Sequence, residues 1–497
     1  MDLFRRLCQQ DDPALLESSA RDESFGRYSL LACRPVEVLT LRQGVLCDRT
    51  GGVLARGDEE IWRVLGRAFE PVELSPGGPD LPYCPGWIGY LSYELGRHIE
   101  RLPARALRDT PLPDLRLCFY DALLVFDACS GDWHLADLEF DSPPAGAGLA
   151  AGTLRTLLEQ TRGAAPLTSR DRERTGGETI GSGGTGLPGV SPPQAAPPPQ
   201  SNFSPEQYRR AVQRCIDYIA AGDIFQVNLS QRFTIAPCPG PLELYAVLRD
   251  LSPSWYGALL KFELDAAGRG EPCGIVSSSP ELFLRVRGRH VLTRPIKGTR
   301  PRRAEDAADR QAAQELIESP KDNAELAMIV DLLRNDLGRV CRFGSVRVTQ
   351  PRRLEAHPTV FHLVASVEGE LSAGVGAADL LRATFPGGSI TGAPKIRAME
   401  IIDELESPAR GVYTGCIGHV GVDGSCEWNI AIRTIVWNDG RAHVQVGGGV
   451  VADSSPQGEY QETLDKARAM FEAIARASGP MPGSSASDGL SQRPGEP

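Results

Sequence analysis

Two segments in the second half of the sequence place acidic side chains three residues apart. Asp322 and Glu325 lie in the first segment; Glu459 and Glu462 lie in the second, with Lys466 one turn later. In an α-helix such residues share one face, so each pair would present two carboxylates in one direction. Mg²⁺ prefers oxygen ligands, and no histidine or cysteine cluster competes for a softer metal. The spacing predicts a magnesium site between two helices, although a solvated acidic helix face has the same pattern.

Lys297 lies in a short basic segment, Arg294-Pro295-Ile296-Lys297-Gly298-Thr299. A lysine that is partly removed from water has a lowered pKa and can act as a nucleophile or a base. The same segment would also suit a charged residue at the exposed end of a strand. The local sequence is compatible with both interpretations.

Two glycine-rich segments and one histidine are further candidates. Residues 387–392 precede a predicted helix whose free N–H groups could bind an anion, with Lys395 adding a charge. The three glycines at 447–449 would let a ligand approach a strand backbone, or would form a bulge. His362 alternates with apolar residues, a pattern that also fits a buried structural histidine.

Two predicted helices would hold the acidic pairs. Ser319-Pro320 marks the start of the first, and Asp322 and Glu325 lie at the edge of its apolar face. The second is predicted from about Pro456 to Ala475. Carboxylates at the rim of a buried face are well placed for a binding site.

The remaining elements indicate the fold class. Strands are predicted at 28–33, 36–41, 86–93, 118–126, 223–233, 427–437 and 441–451, and helices at 59–69 and after Ser204-Pro205-Glu206-Gln207. Strands and helices occur in blocks rather than in strict alternation. We therefore expect an α+β fold in which antiparallel β-sheets are sandwiched with helices.

Composition changes abruptly after residue 162. From Gly163 to Gln200 the chain is rich in Gly, Ser, Thr and Pro, with too few apolar residues to offset chain entropy. We predict an N-terminal domain at 1–162, a disordered linker at 163–201, a catalytic domain at 202–478 and a disordered tail at 479–497.

Charge and composition exclude several classes of partner. The net charge of -11 argues against binding of nucleic acid or an anionic membrane, so a few local cations would have to bind any anionic substrate. The twelve cysteines include no Cys-x-x-Cys pair and are expected to be reduced thiols of a cytoplasmic protein. No apolar run is long enough to predict a transmembrane helix, and the first ten residues lack the pattern of a signal peptide.

Several longer motifs occur in an order that resembles the chorismate-utilising enzymes, which include anthranilate synthase component I, aminodeoxychorismate synthase component I and the isochorismate and salicylate synthases. The motifs are Gly222-Asp223-Ile224-Phe225-Gln226, Ser279-Pro280-Glu281, Pro295-Ile296-Lys297-Gly298-Thr299, Asn323-Ala324-Glu325, Val330-Asp331-Leu332-Leu333-Arg334-Asn335-Asp336, Thr391-Gly392-Ala393-Pro394-Lys395, and Glu462-Thr463 with Lys466-Ala467. The resemblance runs from residue 202 to about 475 and more weakly through the first 160 residues. It implies an anthranilate synthase component I-like fold and chorismate as substrate.

The resemblance also implies roles for individual residues. Mg²⁺ would be bound by Glu325 and Glu462 directly, and by Asp322 and Glu459 through water. Glu281 would be the general acid that protonates the departing 4-hydroxyl, since hydroxide is a poor leaving group. The expected substrate-binding residues are Tyr413, Arg433, Gly449 and Lys466 for the carboxylates and His362 and Ser389 around the ring. Gln226 and Gly392 are expected to bind substrate as well.

Three positions bear on the branch of the family. Lys297 matches a lysine of the aminodeoxychorismate synthases, where anthranilate synthases usually have alanine; it would add at C2 as the 4-hydroxyl leaves, and ammonia would then displace it by adding at C4. Gln226 replaces the lysine base with which isochorismate and salicylate synthases activate water. Leu326 replaces a histidine typical of anthranilate synthases. The resemblance therefore favours the aminodeoxychorismate branch.

The source of ammonia would be a partner chain. The segment Thr414-Gly415-Cys416-Ile417-Gly418 lacks the first glycine of a glutaminase elbow, so we expect a separate glutamine amidotransferase subunit. Two alternatives remain: an anthranilate synthase component I that releases anthranilate and pyruvate, and a non-catalytic subunit that retains the fold. Leu15-Leu16-Glu17-Ser18 resembles the tryptophan-binding segment of anthranilate synthases, but some aminodeoxychorismate synthases share it.

Overall fold

The computed structural model describes residues 2–20, 22, 25–74, 82–162, 197–264 and 270–479. The helices are α1 (Asp2–Leu7), α2 (Asp58–Ala68), α3 (Leu149–Arg162), α4 (Pro205–Ala220), α5 (Pro241–Leu251), α6 (Asp306–Glu318), α7 (Pro320–Gly338), α8 (Ala377–Thr384), α9 (Lys395–Leu405) and α10 (Pro456–Ala477). The strands are β1 (Ala14–Glu17), β2 (Tyr28–Ala32), β3 (Glu37–Arg42), β4 (Val45–Cys47), β5 (Val53–Arg56), β6 (Gly86–Leu91), β7 (Leu115–Tyr120), β8 (Ala122–Asp127), β9 (Trp133–Asp137), β10 (Gln200–Ser201), β11 (Gln226–Ile235), β12 (Tyr256–Leu264), β13 (Glu271–Ser279), β14 (Leu282–Arg287), β15 (His290–Arg294), β16 (Ile296–Pro301), β17 (Arg347–Ala356), β18 (Val360–Glu370), β19 (Gly392–Ala393), β20 (Cys416–Gly421), β21 (Cys426–Asn429), β22 (Thr434–Asn438) and β23 (Arg441–Val450).

The strands form two large sheets. Within the described ranges, the first sheet has eleven strands in the order β10-β11-β23-β22-β13-β12-β1-β2-β8-β9, with β19 beside β11. The second has twelve strands in the order β16-β18-β15-β14-β21-β20-β6-β7-β3-β4-β5, with β17 beside β18. The ladders in both sheets are antiparallel.

The sheets pack face to face, and helices cover their outer faces. Side chains alternate along a strand, so β1 contributes to two cores. Ala14 belongs to the core between the sheets, together with Tyr90 of the second sheet. Leu15 belongs to the core between the first sheet and its helices, which includes Met470 of α10. The predicted α+β fold, with antiparallel sheets sandwiched between helices, is confirmed.

Both sheets contain strands from the two segments that flank the predicted linker. Strand β1 pairs with β12, and β6 pairs with β20. The hydrogen-bonded ladders therefore cross the predicted boundary between 162 and 202. Most of the predicted linker and tail lies outside the described residues, but Gln200 and Ser201, which were assigned to the linker, pair with β11 as a short strand.

Two predicted strands are wrong in extent. The stretch 118–126 belongs to two strands, β7 and β8, which lie in different sheets on either side of Asp121. The stretch 427–437 likewise divides into β21 and β22, and Arg433 between them has a φ of 49°. Apolar residues lie on both sides of each change of sheet, so the hydrophobic pattern does not mark where the chain changes sheets.

None of the helices in the described ranges has the length and apolar character needed to cross a bilayer. The twelve cysteines all lie within those ranges and form no disulfide bond.

Candidate active site

Helix α7 presents its acidic pair toward β16. The Ser319 hydroxyl caps the helix by accepting a hydrogen bond from the N–H of Asp322. The carboxylate of Asp322 accepts a hydrogen bond of 2.9 Å from Arg300. Glu325 lies one turn further along, with Oε2 3.7 Å from Nζ of Lys297. The predicted helix start and the shared direction of the two carboxylates are confirmed.

Helix α10 presents the second acidic pair toward β23. Glu459 is buried and accepts a hydrogen bond of 2.6 Å from the Ser454 hydroxyl. Glu462 is paired with Lys466 at 2.7 Å. Lys466 also donates a hydrogen bond of 2.8 Å to the carbonyl oxygen of Gly447. This ammonium group therefore joins the helix to the glycine-rich end of β23.

Lys321 connects the two acidic helices. Its Nζ lies 3.9 Å from Oε1 of Glu325 on α7 and 3.8 Å from Oε1 of Glu459 on α10. One ammonium group can reach both only if the carboxylates lie close together. Lys321 was missing from the sequence candidates, although its position four residues before Glu325 on a helix is a signal for an ion pair.

The acidic cluster fits a hard divalent cation in its donor chemistry. Oε2 of Glu459 is buried and has no hydrogen-bond partner among the described residues. A Cβ atom added at Gly448 of β23 would lie 2.8 Å from that oxygen and 3.4 Å from Oε1 of Glu462, so both carboxylates converge on one backbone. Burial raises the pKa of Glu459, and the neighbouring charge of Glu462 adds to the effect. A bound cation would relieve this repulsion.

The acidic side chains do not form a preformed metal-binding site, however. In the part of the chain that the structure describes, no three His, Cys, Asp or Glu side chains are grouped to hold a metal ion. Asp322 pairs with Arg300, while Lys297, Lys321 and Lys466 neutralise the other carboxylates. A cation would have to exchange places with some of these basic partners.

Lys297 lies in β16 next to a glycine that allows close packing. Gly298 has a φ of 76°, and the pairing of β16 with β18 shifts register there. A Cβ atom at Gly298 would lie 2.7 Å from Leu316 and 2.9 Å from Asp322, so only glycine lets the strand lie this close to α6 and α7. The Lys297 side chain is 13% exposed. It is therefore largely buried, not a charge at an exposed strand end.

The ammonium group of Lys297 borders the same space as Gly449 and Gln226. A Cβ atom added at Gly449 would lie 3.0 Å from Nζ of Lys297 and 2.7 Å from Nε2 of Gln226. Gln226 is fully buried, and neither its nitrogen nor its oxygen has a hydrogen-bond partner among the described residues. An unsatisfied buried polar group costs about 1–3 kcal/mol. A ligand that hydrogen-bonds this amide would offset that cost.

Glu281 is the buried acid of the site. The Ser389 hydroxyl donates a hydrogen bond of 2.6 Å to Oε1 of Glu281. Burial raises the pKa of Glu281 to about 7, while the Ser389 hydrogen bond and the charge of Lys297 oppose the rise. Ser389 lies on a 3₁₀ turn, Gly388–Ile390, that rests on Leu332 of α7. A carboxyl that is partly protonated near neutral pH can act as a general acid.

His362 and Arg433 are close enough to influence each other. Nδ1 of His362 lies 2.9 Å from the Thr299 hydroxyl, and its Nε2 has no partner among the described residues. Burial and the charge of Arg433 lower the pKa of His362, so the imidazole is neutral. Arg433 itself has no acidic partner in the described ranges, and burial lowers its pKa. A half-buried cation without a carboxylate partner among the described residues is suited to an anionic ligand.

The remaining predicted residues differ in their surroundings. Gly392 packs against the backbone of Gln226 so closely that a side chain would clash. Tyr413 is buried and lies beside Arg410, with 5.7 Å between the guanidinium carbon and the ring centroid. The anion site proposed around Lys395 is wrong in one respect: its ammonium is bonded to Asp336 at 2.7 Å and to a backbone carbonyl, so it is not available to an anion.

The segment 15–18 lies elsewhere, in and next to β1. Residues 16–18 line a pocket between the sheets together with Tyr83, Trp255 and His419, whereas Leu15 faces the helices. The Ser18 hydroxyl donates a hydrogen bond of 2.7 Å to the carbonyl of Trp255. Lys297, Gln226 and Gly449 are not among the residues that line this pocket.

Comparisons with known proteins were made for sequence and structure. A family model described as chorismate binding enzyme matches residues 20–472. Anthranilate synthase component 1 of Pseudomonas putida is 39% identical over 482 residues, covering 96% of this chain and 93% of that protein. Aminodeoxychorismate synthase component 1 of Bacillus subtilis is 37% identical over 471 residues, covering 95% and 93%. The crystal structure of anthranilate synthase component I from Streptococcus pneumoniae TIGR4 superposes with a TM-score of 0.72 at 31% identity, covering 91% of this chain and 93% of that one.

Proposed function

The chain belongs to the chorismate-binding enzyme family, as a chorismate-utilising enzyme of the anthranilate synthase and aminodeoxychorismate synthase type, and within that family we propose that it is an aminodeoxychorismate synthase component 1. It would convert chorismate and ammonia to 4-amino-4-deoxychorismate, the precursor of 4-aminobenzoate and folate. The placement of Lys297 carries this proposal. The amine is largely buried beside Gly449, the unsatisfied Gln226 and the carboxylate of Glu325.

The chemistry of the substitution explains why a lysine is useful there. Placing an amine at C4 with retention is easier through two displacements than through one. The unprotonated amine of Lys297 would form a bond to C2 while the C4–O bond breaks and both ring double bonds shift, which leaves a secondary ammonium at Lys297. Ammonia would then form a bond to C4 while the C2–N bond breaks and both double bonds return. The enolpyruvyl group stays on the ring.

Glu281 would supply the proton for the first displacement. Its oxygen accepts the Ser389 hydrogen bond, and its raised pKa keeps a fraction of the carboxyl protonated at neutral pH. Transfer of that proton to the leaving 4-hydroxyl releases water instead of hydroxide. The carboxylate that remains would be stabilised by the secondary ammonium that the addition leaves on the nearby Lys297.

We propose Mg²⁺ as the cofactor. Glu325 and Glu462 would bind it directly, and Asp322 and Glu459 would assist through water. When bound, the ion would supply positive charge that holds the ring carboxylate of chorismate. Hard oxygen donors and the unsatisfied oxygen of Glu459 support this choice of metal.

The other predicted site residues would bind the rest of the substrate. Arg433 would receive a carboxylate, with Tyr413, Lys466 and the backbone of Gly449 completing the anion contacts. His362 and Ser389 would line the ring. Gln226 has no titratable group that could take a proton from water, which argues against water as the nucleophile.

Ammonia would come from a separate glutamine amidotransferase subunit in the cytoplasm. The elbow-like segment Thr414–Gly418 contains Cys416, which is fully buried and whose thiol pKa is raised by burial. A buried, protonated thiol is a poor nucleophile. This supports a partner chain as the source, with added ammonium able to replace it.

The second candidate function is that of anthranilate synthase component I. It is favoured by the identity of 39% to the Pseudomonas putida enzyme of that name. Lys297 would then have no covalent role. The two candidates differ in the fate of the enolpyruvyl group, which anthranilate formation releases as pyruvate.

Product analysis tests the proposal. The purified chain is incubated with chorismate, Mg²⁺ and ammonium at mildly alkaline pH, and the product is identified by mass with and without added aminodeoxychorismate lyase. A product that retains the enolpyruvyl group and yields 4-aminobenzoate only with the lyase would support the proposal. Anthranilate and pyruvate formed without the lyase would establish the second candidate.

A further inference from the structure

Arg410 is a buried arginine whose hydrogen-bonding capacity is fully used. A guanidinium group has five N–H donors. Nε and one Nη2 hydrogen bind the two oxygens of Glu406, at 2.8 and 2.6 Å. The other three donors bind the carbonyl oxygen of Ile390 at 3.0 Å, the Thr414 hydroxyl at 3.2 Å and the carbonyl oxygen of Asn228 at 2.6 Å.

The three uncharged acceptors lie on three different segments, and each is next to an expected active-site residue. Ile390 follows Ser389, which bonds the general acid. Thr414 follows Tyr413, whose ring also lies beside the guanidinium. Asn228 lies on β11, two residues after Gln226, and its N–H donates to the carbonyl of Thr391 at 2.8 Å.

Two acids hold Arg410 in this position. The Glu406 side chain is 2% exposed and also accepts a hydrogen bond of 2.8 Å from the N–H of Ser230 on β11. Glu94 accepts hydrogen bonds of 2.9 Å from the N–H groups of Arg410 and Gly411. Because all five donors are satisfied within the protein, the guanidinium has none left for a substrate.

We propose that Arg410 is a positioning residue for the reaction of chorismate, locking the Ser389 turn, the Tyr413 turn and the Gln226 strand into one arrangement. It acts through these residues and does not contact substrate. The inference rests on the proposed function only in that these residues serve the conversion of chorismate. It is independent of which amine product forms.

The test uses Arg410→Lys in the full chain, with ammonium as the nitrogen source. Lysine keeps the charge but cannot reach three segments with a planar fork. We expect kcat to fall about tenfold to hundredfold, since small misplacements of catalytic groups have effects of this size, while KM for chorismate changes less than kcat. The loss of chorismate is followed whichever product appears, so a wrong product assignment would not be mistaken for failure here.

A matched control separates positioning from general destabilisation. Arg116 on β7 is also buried and is paired with Asp12 at 2.6 Å, in a part of the fold distant in sequence from the site. Arg116→Lys should lower the melting temperature comparably and leave kcat within twofold of the wild type. A folded Arg410→Lys variant with kcat within twofold of the wild type would overturn the proposal.

Two further variants keep the proposal open to refutation if Arg410→Lys does not fold. Glu406→Gln retains the shape of the acid and should lower kcat at least several-fold; unchanged kcat would overturn the proposal. Combining Arg410→Lys, or Glu406→Gln in its place, with Ser389→Ala should give a loss smaller than the product of the single losses, because both changes disturb the same contact to Glu281. Independent, multiplicative losses would show that Arg410 does not act through Ser389.

Discussion

Two buried regions of this molecule, one around Arg410 and one around Lys297, satisfy their polar groups differently. Around Arg410, the guanidinium uses all five donors, and Glu406 binds it with both oxygens. Around Lys297, both polar atoms of Gln226, one nitrogen of His362 and one oxygen of Glu459 have no partner in the described part of the chain. The regions are joined, because β11 passes through both.

The difference shows that the donors of Arg410 are used within the protein, whereas several polar atoms near Lys297 are open to a ligand. Buried polar groups are nearly always hydrogen-bonded, and those without a partner destabilise the free protein. A binding site can present such groups to a ligand. The unsatisfied atoms of Gln226, His362 and Glu459 belong to residues for which the family resemblance implies a role at chorismate or Mg²⁺. Other unsatisfied atoms lie elsewhere in the described residues, and Asn228 and Tyr93 beside Arg410 each have one.

The largest expected effect is on the reactive amine. Lys297→Ala should lower ammonia-dependent formation of aminodeoxychorismate by about 10³-fold or more, because it removes the nucleophile. Lys297→Arg is the matched control, since it retains a positive charge without a nucleophilic amine, and it should be similarly inactive. Steady-state assays by product mass measure both variants. If Lys297→Arg restores turnover, the charge rather than the amine is what matters.

The next largest effect is that of Glu281→Gln, which should lower kcat and raise the free energy of unfolding at alkaline pH. Glu281→Gln should lower kcat about 10²-fold or more through loss of the general acid. In the wild type, turnover at constant free ammonia should decline as the pH rises through about 7, because Glu281 loses its proton there.

The stability of the same variant follows from proton linkage. The folded-state pKa of Glu281, about 7, lies above the ordinary value of 4.5, so the folded protein binds the proton more tightly between these values. Its contribution to stability is therefore retained below about pH 4.5 and is lost as the pH rises through 7. Glu281→Gln should raise the free energy of unfolding at pH 8 by about 1–3 kcal/mol and give no gain at pH 4.5. Urea denaturation at the two pH values decides this; equal stability at pH 8 would refute the raised pKa.

Removing the Glu406 carboxylate from the hydrogen-bond network around Arg410 should destabilise the folded protein. Glu406→Leu leaves a buried guanidinium without its counter-ion and should lower the free energy of unfolding by about 3–5 kcal/mol. Denaturant titration measures this effect. A loss below about 1 kcal/mol would mean that the network is not the rigid scaffold described above.

The smallest effect is a gain of stability in the active-site region. Gln226→Met replaces an unsatisfied amide with an apolar side chain of similar size and should raise the free energy of unfolding by about 1 kcal/mol. The same change should raise KM for chorismate about tenfold, because a hydrogen-bonding group for the ligand is lost. If Gln226→Met raises the free energy of unfolding and Glu406→Leu lowers it, the contrast between the two regions is supported. If Gln226→Met lowers it as well, the contrast is refuted.

The sequence predicted those parts of the site that depend on local spacing. The start of α7 follows from Ser319-Pro320, α10 begins at Pro456 as expected, and the acidic pairs follow from helical periodicity. The extended segment around Lys297 was also predicted. Each of these features is determined by a few adjacent residues, so the chain alone contains the information.

Features that depend on distant partners could not be predicted. The stretch 427–437 is apolar on both sides of the position where the chain leaves one sheet for the other, so it was taken for one strand. Lys395 was expected to attract an anion, but its charge is used by Asp336, which lies on another helix. Lys321 bridges two helices separated by more than a hundred residues, and no local pattern indicates that they meet.

The central claim, that Lys297 forms a covalent bond to the substrate, can be tested by mass. The enzyme is mixed with chorismate and Mg²⁺, sampled before and after ammonium is added, quenched rapidly and digested. We expect the peptide containing Lys297 to gain the mass of chorismate less one water before ammonium is added, and to lose that mass as aminodeoxychorismate appears. A peptide that stays unmodified throughout a turnover in which product forms would contradict the account.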